Sequence, residues 1–414
     1  GSTLTSGQLG VDENKISSYQ SWTEDNLTWT LTADGTMTIS GEGEMKNYSI
    51  GDSPAAQKKD SVKKVVIEDG ITNIVDFAFY NCSSLTDITI PDSVTSIGDD
   101  AFYGTPWLTN KRQENDSLVI VNGILIDGTA CSGEVTIPND VTSIGDYAFR
   151  NCTGLTSITI PKSVTSIGGN VFDGCTALTE VLLEGGSALT SESFGEVADK
   201  VVTRWNEDNL TWTLTADGTM TISGTGAMKN YSNNSPAAQK KDSVKKVVIE
   251  DGITNIVDFA FYNCSSLTDI TIPDSVTSIV NYAFYNCTGL TNIKIPNSVT
   301  NIEGFAFYYC TGLTSVNIPE SVTCIGDHAF FICTSLTSVN ISEGVTGIGA
   351  WAFQNCTGLT SIKIPESITS IETGAFSGCT SLANITIPSS VTSIKESAFS
   401  GTAWLKSKQQ KNPL

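Results

Sequence analysis

An Ala-Phe dipeptide returns every 23 residues through the second half of this chain. It stands at Ala260-Phe261, Ala283-Phe284, Ala306-Phe307, Ala329-Phe330, Ala352-Phe353, Ala375-Phe376 and Ala398-Phe399. Earlier it occurs at Ala78-Phe79, Ala101-Phe102 and Ala148-Phe149, and as Val171-Phe172. A fixed period of this length marks a solenoid: one repeat cannot bury its apolar face alone, and stacked neighbours build a continuous core. Such a chain offers a long repetitive surface, and function is to be sought there before any single catalytic pocket.

The repeat Leu290 to Thr311 says how one coil is built. Ile293, Lys294 and Ile295 alternate inward, outward, inward, as a strand with one buried face requires. Pro296 lacks a backbone donor and ends the pairing. Val299 and Ile302 mark a second inward-facing stretch. Phe305 to Cys310 contains no β-branched residue and reads as one tight helical turn, with Ala306 and Phe307 inward. Stacked coils form a parallel sheet that rises ~4.8 Å per coil.

The whole pattern is Leu-x-x-Ile-x-Ile-Pro-x-Ser-Val-Thr-x-Ile-Gly-x-x-Ala-Phe-x-x-Cys-Thr, clean at Leu155 to Phe172 and Leu336 to Phe353. It resembles the BspA-like (Treponema-type) leucine-rich repeats of bacterial surface proteins. The resemblance runs from about residue 65 to 401 in eleven registered copies. The insert Thr105 to Gly133 resembles an irregular coil that recurs in that family. Gly35 to Gly41 and Gly218 to Gly224 look like parts of the β-rich cap that precedes such repeats. The resemblance implies a leucine-rich repeat solenoid with short parallel strands and helical turns. It also implies a secreted or surface-attached, non-enzymatic protein without a cofactor, from a family linked to adhesion, host extracellular-matrix binding and co-aggregation. Its partner would be a host or neighbouring-cell surface protein or glycan.

A longer repeat lies over the shorter one. Ser53 to Ile97 is identical to Ser235 to Ile279, and the likeness reaches back through Leu27-Thr28-Trp29 and Leu210-Thr211-Trp212. The chain therefore reads as two tandem modules: a β-rich cap over 1–64, repeats over 65–200 with an irregular coil at 105–134, a second cap over 201–246, and seven coils over 247–414. Within the first cap, Trp29 and Leu31, then Asp34-Gly35, then Met37 and Ile39 spell a hairpin. Such a hairpin would cover the apolar open end of the first coil. Both ends of the chain look cut. Residue 1 is Gly, and Thr402-Ala403-Trp404-Leu405 echoes Thr105-Pro106-Trp107-Leu108, with Lys408, Gln410 and Asn412 matching Lys111, Gln113 and Asn115 before the chain stops at Leu414.

With 23 Lys and Arg against 44 Asp and Glu, the net charge is −21. That surface repels phosphate backbones and anionic lipid, which argues against nucleic-acid partners. No apolar run approaches the roughly 18 residues a membrane helix needs, so membrane insertion is not expected of this chain.

Nine cysteines fall three residues after the repeat Phe: Cys82, Cys152, Cys175, Cys264, Cys287, Cys310, Cys333, Cys356 and Cys379. Disulfides between coils would need Cβ vectors that converge, whereas stacked repeats keep them parallel. No Cys-x-x-Cys or clustered His supplies zinc spacing. The favoured reading is a ladder of buried thiols. His328, the one histidine, follows Cys324 by four residues, a spacing that would suit a nucleophile and base. Both positions hold Ser, Tyr, Phe or Trp in other coils, so they read as variation on a solvent-facing column. No catalytic motif is present.

One pattern rises above scaffold. The residue before Ala-Phe runs Phe259, Tyr282, Phe305, His328, Trp351 over five coils, and the residue after runs Tyr262, Tyr285, Tyr308, Phe331 over four. On a helical turn, positions three apart share a face, so stacking would form two parallel aromatic columns. In the first module they are patchier, at Phe77, Tyr80, Tyr103 and Tyr147, and they stop at Gly374, Ser377, Ser397 and Ser400. Either the rings pack the turns together or they form a strip for protein or glycan, and a strip requires exposed rings. The outward strand column, Thr271, Lys294, Asn317, Asn340, Lys363 and Thr386, is a second candidate surface. A structural spacer that lifts a further domain off the cell surface is the alternative to a binding protein.

Overall fold

The 23-residue period is a hydrogen-bonding period. In a computed structural model that describes residues 2–3, 20–114 and 117–411, Ile293 stands opposite Val316, and Val316 opposite Val339, in a parallel ladder. Gly1 and Leu414, Asn115 and Asn412 of the echo, and residues 4–19 of the first cap lie outside the described residues. The chain divides into two compact units, Gly1–Val201 and Val202–Leu414.

In the second unit, the strands Leu210–Thr215 and Thr219–Gly224 form an antiparallel hairpin whose second strand pairs in parallel with Lys246–Ile249. Parallel strands then follow at Asp269–Thr271, Asn292–Lys294, Ser315–Ile318, Ser338–Ile341, Ser361–Lys363 and Asn384–Thr386. From Ser278–Ile279 onward the second inward stretch of each coil is a two-residue strand, as at Asn301–Ile302 between Ser278–Ile279 and Cys324–Ile325. The repeat Phe side chains are the spine of the core: Phe284, Phe307, Phe330 and Phe353 are fully buried, with ring centroids 5.0–5.2 Å apart.

The first unit starts alike. Leu27–Leu31 and Thr36–Gly41 form the expected hairpin, with Trp29 opposite Ile39 and fully buried, and Thr36–Gly41 pairs in parallel with Lys64–Ile67. After two coils the insert interrupts the stack. Thr105 Oγ1 accepts the Leu108 N–H and caps a helix at Pro106–Glu114, whose Trp107 lies on Phe102 at 4.6 Å. Val119–Val121 then pairs antiparallel with Ile124–Asp127, and that strand restarts the parallel ladder with Ser143–Ile144. The Thr402-Ala403-Trp404 echo folds the same way: Thr402 caps the helix Ala403–Lys411, and Trp404 packs on Phe399.

The cysteines are free thiols, and the nine repeat-position ones are buried. From Cys287 through Cys379, each Sγ donates to the carbonyl of the preceding coil's repeat Phe, as Cys310 does to Phe284 at 3.1 Å. Each thiol closes a backbone acceptor at the turn, which is why the position takes a small donor.

Candidate interaction surface

The turn that carries the aromatic residues differs from the single helical turn expected over Phe305 to Cys310. Phe305 and Tyr309 lie in the left-handed region, at φ +59° and +61°, so the segment is a succession of reverse turns. Its backbone donors alternate in destination. The N–H groups of Phe305, Phe307 and Tyr309 reach the next coil at Asp327, Ala329 and Phe331, whereas those of Tyr308 and Cys310 bond locally to Phe305 and Phe307. The turns are therefore stitched to one another as firmly as the strands are. The same left-handed position recurs at Phe259, Tyr282, His328 and Trp351, with φ between +54° and +58°.

All nine candidate residues come together in two columns. Phe259, Tyr282, Phe305, His328 and Trp351 stack with centroid separations of 4.6–5.0 Å and planes within 27° of parallel. Tyr262, Tyr285, Tyr308 and Phe331 stack at 4.6–5.1 Å. Within a coil the columns touch edge to face or tilted, as at Phe305 and Tyr308, 5.5 Å apart. The rings are neither buried nor freely exposed: Trp351 is 36 % exposed and the other eight are half-buried. Ring faces are covered by column neighbours, so the accessible part is the row of edges.

Tyr309 belongs to this surface, although the column pattern in the sequence does not include it. It is 37 % exposed, with its ring 4.9 Å from Tyr308 and 6.3 Å from Phe331. Its position holds Asn263, Asn286 and Asn355 in other coils, residues that tolerate left-handed backbone. A tyrosine replacing asparagine in that column was the available signal.

The electrostatics do not activate the Cys324–His328 pair. Burial pushes the Cys324 thiol up, assisted by Asp327, and burial holds His328 below the usual histidine range against the opposing pull of Asp327. His328 acts as a neutral ring in the stack. Burial and neighbouring tyrosines raise Tyr285 and Tyr308, so both keep their hydroxyl protons. Among the described residues no group of His, Cys, Asp and Glu could hold a metal ion. No helix among them is long and apolar enough to cross a membrane. The outward strand column is exposed and small, and Asn340 donates its amide to Asn317 in a side-chain ladder.

A family model described as BspA type leucine-rich repeat region (6 copies) matches residues 50–179, 127–198, 235–358 and 301–412. The crystal structure of a leucine-rich repeat protein from Eubacterium ventriosum ATCC 27560 is 24 % identical over 93 % of this chain and 95 % of that one, with a TM-score of 0.39. The T. pallidum leucine-rich repeat protein is 28 % identical over 50 % of this chain and 95 % of that one, with a TM-score of 0.40. A leucine-rich repeat protein from Bacteroides ovatus ATCC 8483 is 23 % identical over 93 % of each chain, with a TM-score of 0.32. No curated protein matches the chain.

Proposed function

The chain belongs to the BspA-type leucine-rich repeat family, and we propose that it is a non-enzymatic, secreted or cell-surface binding protein that recognises a protein or glycan through the paired aromatic columns of its second unit. The observation that carries this reading is the conjunction of large rings with left-handed backbone. A bulky residue at positive φ costs on the order of 1–3 kcal/mol. Stacking contributes about 0.5–1.5 kcal/mol per pair beyond burial. The two effects are of the same order, so packing alone gives little reason to keep five aromatic rings at a position that Gly374 and Ser397 also fill. A row of ring edges with hydroxyl tips suits apolar patches and sugar faces, and the net charge of −21 biases partners toward neutral or cationic surfaces.

The test is a screen of the 414-residue chain against extracellular-matrix proteins and a glycan array. A saturable partner is expected, and Tyr285→Ala combined with Tyr308→Ala should weaken its binding with little change in the melting curve. Intact affinity in that variant would move the site to the strand face around Lys294 and Lys363. Finding no partner at all would favour the structural spacer.

A further inference from the structure

The first unit contains a defect in its stack of turns, and the defect is a cavity. Between the strand pairings Ile144 to Leu155, ten residues (145–154) form the regular turn. Between their partners Leu125 and Gly133 there are only seven, residues 126–132. The shortened turn leaves room between the coil before it, at Asp99 to Gly104, and the coil after it, at Asp146 to Asn151. A cavity of about 510 Å³ lies there, within the range of small-ligand sites.

The missing backbone leaves unmatched groups on both sides. In the coil above, Phe77, Phe79 and Asn81 donate their N–H groups to Asp99, Ala101 and Tyr103. The corresponding donors one coil on include Phe102 and Gly104, and neither has a partner among the described residues. On the far side, the shortened turn supplies one donor, Gly128 N–H to Ala148. The equivalent carbonyls of Asp146 and Arg150 accept from no described residue. The cavity thus offers an unpaired backbone donor on one side and unpaired backbone acceptors on the other.

Its side chains add a charge preference. Asp99, Asp100 and Asp146 line it and make no ion pair among the described residues. The two arginines are already engaged: Arg112 holds Asp127 through two bonds of 2.6 and 2.9 Å, and Arg150 lies over the Tyr147 ring and near Asp173. Burial, with Asp100 and Asp76 nearby, pushes Asp99 up to about 6. The Tyr103 ring, 50 % exposed, and Tyr147 complete the lining.

We propose that this cavity binds a short basic peptide segment of a partner protein, which supplies the omitted backbone and places a lysine or arginine side chain among Asp99, Asp100 and Asp146. The segment's carbonyl accepts from Phe102 N–H, its own N–H donates to the backbone carbonyl of Asp146 or Arg150, and the stem of the basic side chain lies along Tyr103. This site belongs to the first unit and does not rest on the aromatic columns.

The probe is a fluorescein-labelled, end-capped pentapeptide, Ala-Ala-Lys-Ala-Ala, titrated into the full chain, with n-butylammonium as a competitor lacking a peptide backbone. Expected are saturable binding, slowed amide exchange at Phe102, and butylammonium weaker by about tenfold or more. The double variant Asp99→Asn with Asp146→Asn should lose about tenfold in affinity. Replacing residues 126–132 by a copy of residues 145–154 should fill the cavity and abolish binding. The proposal is overturned by any of three results: no binding of the pentapeptide to the native chain, butylammonium equal to the peptide, or unchanged affinity in the doubly substituted protein. A folding failure in the loop replacement leaves the double variant to decide.

Discussion

Gly374 decides where the first aromatic column ends. Its φ is +62°, and a Cβ there would stand 2.4 Å from Trp351 Cδ1, so the indole lies against bare backbone. Gly374→Ala should displace that ring and cost about 1 kcal/mol or more through left-handed backbone alone. Urea unfolding and a rise in acrylamide-quenchable tryptophan emission would check it. Asp99 carries a different consequence. Its carboxyl is raised to about 6 from an ordinary 3.8, so the folded state prefers the protonated form. Its contribution to stability is greatest below pH 4 and declines as pH rises through about 6. Asp99→Asn should therefore raise the melting temperature at pH 7.5 and bring little gain at pH 4. Equal gains at both would mean that the carboxylate is not the cause.

At the scale of the element, one turn separates stability from recognition. Phe307 is fully buried between Phe284 and Phe330, at 5.1 and 5.0 Å, while Tyr308 beside it is half-buried with its edge toward solvent. Phe307→Ala should cost on the order of 3–5 kcal/mol, because neighbouring coils cannot collapse into the space of a ring without losing register. Tyr308→Ala should cost well under half of that, and chemical denaturation of both variants measures the contrast. Ala306 and Phe307 as the inward pair were legible from the period, and so was the shared face of Phe305 and Tyr308. The left-handed backbone was not legible at the rings themselves, because Phe, Tyr and Trp carry no signal for positive φ. The other coils held that information, at Asp100, Asn170 and Gly374 in one column and at Asn81, Asn151, Asn263, Asn286, Asn355 and Gly378 in the other.

Over the whole molecule, the eleven cysteines reflect how the core treats the solvent: ten are buried and Cys324 is exposed. Burial pushes thiols such as Cys82, Cys264 and Cys310 up to about 12. Thiol counting on the native protein should find one reactive group, and denaturation without reductant should release all eleven. What the amino-acid sequence determined by itself was everything that repeats. In a stack, the neighbour of residue i is residue i+23, so the period alone names the core ladder, the thiol ladder and both ring columns. The tertiary structure alone decided what depends on departures from the period. Ser53 to Ile97 and Ser235 to Ile279 are identical, yet one is followed by Asp99-Asp100 and a shortened coil, the other by Asn281-Tyr282 and an unbroken column. Which groups face the resulting gap follows from coils two steps apart. Their separation in space is set by backbone hydrogen bonds around the insert, which no pattern of side chains records.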